Sequence, residues 1–112
     1  MARKKSKKSK LPRTFLRFAA EHPKLVTAHE KMAKAVDASG PLDAKTCSLI
    51  KIGVCVGAGL ESALKSHVRR ARENGAKKAE VEQAVFQAMN TCGFPPTVAA
   101  WAWAQEQLRR GK

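Results

Sequence analysis

From Leu49 to Val56 the chain is apolar on every side, interrupted only by Lys51. A helical segment without a polar face belongs inside a protein, so this stretch predicts a helix at the centre of a core. Asp43 is well placed to cap it, and the helix runs to about Gly57. Both neighbouring segments are also helical in period. Lys24–Ala38 sets Leu25, Ala28, Met32, Ala35 and Val36 three and four residues apart and is closed by Ser39-Gly40-Pro41. Gly59–Asn74 does the same with Leu60, Ala63, Leu64, His67, Val68 and Ala71, and Gly75 stands as its C′ residue.

Three further segments complete the reading. Thr14–Glu21 is short and ends before Pro23, which disfavours helix in the residue ahead of it. Lys78–Asn90 carries Val81, Ala84, Val85, Ala88 and Met89 on one face, and Thr97–Arg110 follows Pro95-Pro96 and presents Trp101 and Trp103. No stretch alternates with period two, and alanine is abundant. The expected fold is therefore all-α, with about six helices and no internal repeat. Its 112 residues suit one domain, small enough to gain from oligomerisation. No apolar run reaches the roughly 18–20 residues of a membrane span.

Charge divides the chain unevenly. The net charge is +13, and residues 1–10 hold six positive charges and no negative one, leaving +7 on the remainder. A like-charged run without core side chains is expected to be a disordered tail (1–10) ahead of a helical domain (11–112). It reads either as a solubilising tail or as an arm for nucleic acid or an anionic membrane surface. The N-terminus lacks the apolar region of a secretory signal, which sets the expected location in the cytoplasm. Cys47, Cys55 and Cys92 form no C-x-x-C pair, and no histidine stands at metal-ligand spacing from them. Free thiols in a reducing compartment follow, with neither metal nor cofactor expected.

The candidate chemistry lies between positions 60 and 78. His67 falls within or beside an apolar helical face, as a core histidine would, yet it is also the side chain suited to proton transfer near neutral pH. Glu61 lies six residues earlier, about 120° around the axis, so the two do not pair on one helix. Lys65, Arg69 and Arg72 form a basic stripe, with Arg70, Lys77 and Lys78 nearby and Glu73 the single acid. The stripe reads as a solvated face or as a holder of phosphates and small anions. The aromatic residues that single-stranded nucleic acid would stack on lie elsewhere. Gly57-Ala58-Gly59 has two glycines of a dinucleotide loop but follows a helix instead of a strand, and is read as close packing plus a turn.

The run GPLDAKTCSLIKIGVCVGAGLESALKSHVRRARENGAKKAEVEQAVFQAMNTCGFPPTVAA, about residues 40–100, resembles the carboxymuconolactone decarboxylase and alkyl hydroperoxidase D (AhpD-like) family. The most specific pieces are LDAKT, SHVRRARENGAKKAEVEQAV and GFPPT. The preceding LPRTFLRFAAEHPKL is similar to the lead-in helices of small members. The resemblance implies a helical bundle that assembles into homotrimers or homohexamers. Thiol peroxidases of the family carry C-x-x-C-x-x-x-H with a relay glutamate on the preceding helix. Here the histidine falls on His67, the two cysteine positions on Leu60 and Ala63, and the glutamate position on Ser48. Without either sulfur a thiol peroxidase cannot operate.

Decarboxylase members lack the cysteine pair and resemble this chain in placing Glu before the histidine. That implies acid–base chemistry on a small carboxylated lactone, with His67, Glu61 and Ser48 at the reacting centre and Lys65, Arg69 and Arg70 holding carboxylate. Two other readings stand beside it. One is a peroxiredoxin-family relative that has lost peroxidase activity, and the other a non-catalytic oligomer that recruits nucleic acid through its tail.

Overall fold

The computed structural model describes residues 11–111, so the expected tail at 1–10 lies outside the described residues. Six helices follow in order: α1 (Arg13–Glu21), α2 (Pro23–Asp37), α3 (Ala44–Ala58), α4 (Glu61–Glu73), α5 (Lys78–Phe86) and α6 (Phe94–Arg110). No strand occurs among the described residues. The chain divides between Gly40 and Pro41 into two compact units.

In the first unit His22 ends α1 and begins α2, with Pro23 in the opening turn. Proline suits that position because a first-turn N–H has no helical partner to lose. Neither helix contains a buried residue. Leu25, Met32 and Val36, which share a face of α2, are all exposed, as are Phe15 and Phe18 on α1.

The second unit holds the core: Ile52, Cys55 and Val56 from α3, Leu64, Val68 and Ala71 from α4, Val81 and Val85 from α5, and Ala100, Ala104 and Leu108 from α6. Each fully buried Leu, Ile or Val contributes roughly 1.5–3 kcal/mol of transfer free energy. The Asp43 carboxylate caps α3 by accepting from the Thr46 amide at 2.8 Å, and this contact holds its pKa below the ordinary value. Two glycines at positive φ reverse the chain, Gly59 after α3 and Gly75 after α4. In each case the next residue's amide reaches back five residues, Leu60 to the Cys55 carbonyl and Ala76 to that of Ala71.

Three expectations shift. The apolar run of α3 is central on one side only, since Ile50 and Val54 are exposed. The fifth helix stops at Phe86, and residues 87–92 form turns. The last helix begins at Phe94, with Pro95 and Pro96 inside its first turn. A proline there forfeits no helical hydrogen bond, so the pair opens the helix it was expected to precede.

Polar contacts fix how the helices of this unit lie beside one another. The Asn74 amide donates to Ser48 Oγ at 3.2 Å, so the start of α3 meets the end of α4 and the two run antiparallel. Lys45 bonds Glu80, and Gly53 and Gly57 approach Ala84 and Cys92, so α5 runs parallel to α3. Gln105 donates to Glu82 at 2.6 Å across the reversal between α5 and α6. Finally Lys65 bonds Glu106, and α6 runs parallel to α4.

Candidate active site

Helix α4 carries the predicted site, and its two flanks face different neighbours. On the flank toward α6, Lys65 Nζ donates to Glu61 Oε2 at 3.0 Å and also to a Glu106 carboxylate oxygen. The Lys65 side chain is only 20% exposed, so the two carboxylates meet a partly desolvated cation. They raise its pKa above the ordinary value, and Lys65 in turn lowers that of Glu106. Arg69, one turn along the same flank, pairs with Glu73 at 4.0 Å. Glu61, Lys65 and Arg69 therefore belong to one cluster whose charges are engaged with each other or with Glu106 and Glu73.

On the other flank, toward α3, lie Ala63, His67 and Asn74. His67 is half-buried, and Arg70 stands one turn on, exposed. Ser48 is buried at 7% exposure, and its hydroxyl accepts from Asn74. Ser48 and Cys55 are seven residues apart on α3, as are His67 and Asn74 on α4. The antiparallel register set by Ser48 and Asn74 therefore brings His67 to the level of Cys55. Cys55 is buried, and desolvation pushes its thiol pKa up, as expected of an inert core cysteine.

The six predicted site residues thus fall into two groups. Ser48, His67 and Arg70 lie along the α3–α4 side, whereas Glu61, Lys65 and Arg69 lie along the α4–α6 side. Two participants were not foreseen. Asn74 offered only its place beside Gly75 at a helix end, and Glu106 offered no local signal, being 41 residues from Lys65. The positions matching the peroxidase cysteines are Leu60, the exposed N-cap of α4, and the half-buried Ala63. No group of three or more His, Cys, Asp or Glu among the described residues is placed to hold a metal ion.

The sequence model of the carboxymuconolactone decarboxylase family matches residues 23–106. The chain belongs to this family. The fold agrees: an apo carboxymuconolactone decarboxylase family protein from Legionella pneumophila superposes with a TM-score of 0.74 at 24% identity. That match covers 88% of this chain and 87% of the other. At such identity it speaks for the fold alone. No curated protein sequence matches the chain. Membership in the carboxymuconolactone decarboxylase family accounts for the all-helical architecture. It does not by itself assign a substrate or a reaction. No helix among the described residues is long and apolar enough to cross a membrane.

Proposed function

We propose that this family member performs acid–base chemistry on a small carboxylated lactone, with His67 as its proton donor and without thiol chemistry. The observation that carries the proposal is the place of His67, half-buried on the flank of α4 that faces α3 and level with Cys55. Histidine is the side chain suited to general acid catalysis near neutral pH. Leu60 and Ala63 supply no nucleophile, and Cys55 is buried with a raised pKa. Both facts support a route without sulfur.

In this scheme the bond to the departing carboxylate breaks, its electron pair passes into the conjugated lactone, and His67 protonates the resulting carbanion equivalent. Arg70, one turn from His67, holds the substrate's remaining carboxylate. Lys65, also offered by the sequence for carboxylate, bonds Glu106 on α6, and Glu61 accepts from Lys65 on α4 itself. Ser48 acts as a positioning residue, because its contact with Asn74 fixes α4 against α3. The working form is a homo-oligomer, a trimer or hexamer. The exposed apolar face of α2 and the exposed Phe86, Phe94 and Val98 support this, since single chains seldom leave so many large apolar groups in water. The three free cysteines support a reducing, cytoplasmic setting.

The test is His67→Gln, assayed for carbon dioxide release across a panel of carboxylated lactones. A loss of about a hundredfold or more in kcat, with the melting temperature and oligomer size unchanged, is the expected result. Wild-type turnover in the variant would overturn the proposal.

A further inference from the structure

The contacts that orient the helices of the second unit have a consequence at one of its ends. Lys65 on α4 meets Glu106 on α6, and these helices are parallel. Four residues further along each, on the same sides, stand Arg69 and Arg110. Glu82 on α5 meets Gln105 on α6, and these helices are antiparallel. Four residues back on α5 and four forward on α6, again on the same sides, stand Lys78 and Arg109. Each favourable cross-helix contact is thus followed, one turn on, by two cations side by side. The two pairs share α6, so Arg69, Lys78, Arg109 and Arg110 gather at the end where α4 and α6 finish and α5 begins.

Three carboxylates lie within a turn of these four cations, Glu73, Glu82 and Glu106, and each has a partner of its own. Glu73 sits 4.0 Å from Arg69, and Glu106, one turn away, already bonds Lys65. Lys78, Arg109 and Arg110 make no ion pair within 4 Å among the described residues, and Arg69 is a largely covered side chain at 16% exposure. Helix dipoles explain part of the pattern, since cations are favourable at the C-terminal ends of α4 and α6. They do not explain Lys77 and Lys78. These stand at the N-cap and first residue of α5, where a cation opposes the dipole and a Ser, Thr, Asp or Asn would cap the helix better. Four cations from three helices repel one another in the free protein, and a bound polyanion would relieve that repulsion.

We propose that this end of the molecule binds the phosphate backbone of duplex nucleic acid without reading its sequence. Arginine forks suit phosphate oxygens, and three of the four gathered cations are arginines. No aromatic residue lies within one turn of any of them, so base stacking on single strands has no platform here. A membrane surface is disfavoured for a related reason. The exposed apolar anchors Leu60, Phe94 and Val98 lie toward the opposite end, in segments 52–60 and 83–105 that carry no charge. The inference concerns the folded body and is independent of the proposed lactone chemistry.

The experiment is fluorescence anisotropy of the full chain with a labelled random duplex of about 20 base pairs, between about 50 and 200 mM salt. Binding should weaken with salt, with a log–log slope near about −3 from this surface if Lys78, Arg109 and Arg110 meet phosphates and Arg69 stays with Glu73. Arg109→Gln with Arg110→Gln should weaken binding by about tenfold or more near 0.1 M salt and reduce the slope by about two. Lys78→Gln, on a different helix, should reduce it by about one. Melting temperatures should change little in these variants, because the repulsion removed offsets the favourable helix-end charge lost. Lys31→Gln with Lys34→Gln on α2 removes the same charge elsewhere and should change little. Equal loss in that control would reduce the effect to net charge and overturn the proposal. So would unchanged binding in the Arg109/Arg110 variant when replacing tail lysines by glutamine abolishes it. Equally tight, variant-sensitive binding to phosphatidylserine vesicles would overturn the choice of duplex.

Discussion

The two flanks of α4 are built from the same helix and differ in what their polar groups are asked to do. Toward α6 a lysine meets two carboxylates, and an arginine one turn on pairs with its own glutamate. Toward α3 a half-buried histidine is followed, one turn on, by an exposed arginine, and Asn74 donates to Ser48. The first flank fixes two helices together, and its cations have little left to offer a ligand. The second carries a half-buried histidine beside the Ser48–Asn74 contact that joins α3 to α4. Cationic residues on a helix are therefore poor guides to a binding site until their partners on other helices are known.

Removing the Lys65 ammonium gives the largest separation between the flanks after His67→Gln. Lys65→Met should cost about 1 kcal/mol, because the pair is partly covered but not deeply buried, and lower the melting temperature by several degrees. Turnover at the folded temperature should stay within about twofold, whereas a loss matching that of His67→Gln would merge the two flanks into one site. The same variant should alter the pH limits of stability. Glu106 has a folded pKa below its ordinary 4.5, so its contribution is complete above that value and is lost as pH falls through the lowered one. Lys65 is raised above 10.5, so its contribution is complete below that value and is lost as pH rises through the raised one. Urea melts across pH should show shallower limbs at both extremes in Lys65→Met than in the wild type.

Ser48→Ala probes the α3 flank more gently. Losing the hydroxyl that accepts from Asn74 should cost about 1 kcal/mol and reduce kcat by no more than about threefold. A loss as deep as that of His67→Gln would move Ser48 from positioning to the reacting centre. The smallest effect concerns sulfur. Alkylation followed by mass spectrometry should label exposed Cys92 first, half-buried Cys47 next and buried Cys55 last. Dithiol-dependent hydroperoxide turnover should be absent and unaffected by Cys55→Ser. Rapid labelling of Cys55 would break the distinction between a sulfur-free site and a masked thiol.

Most of the helices could be read along the chain because their determinants are local. Asp43 caps α3, Gly75 ends α4, and the spacing of Leu64, Val68 and Ala71 marks the buried face. The start of α6 was misplaced because Pro95 and Pro96 look like breakers, although a first turn accepts them without loss. Exposure of Ile50 and Val54 also eluded the sequence, since an apolar residue does not announce which side of its helix the chain will cover. The candidate site was legible only up to the helix that carries it. The 120° between Glu61 and His67 already forbade their pairing, but nothing nearby in sequence points from Lys65 to Glu106.

Residues 105 and 106 are adjacent on α6 yet reach opposite neighbours, Gln105 to α5 and Glu106 to α4. The helix is thus keyed on both sides at one level. Inserting a single residue within the first turn of α6 would rotate everything after it by about 100° and advance it by about 1.5 Å. Both keys would leave their locks together, and buried Thr97, Ala100 and Ala104 would swing away from the core with them.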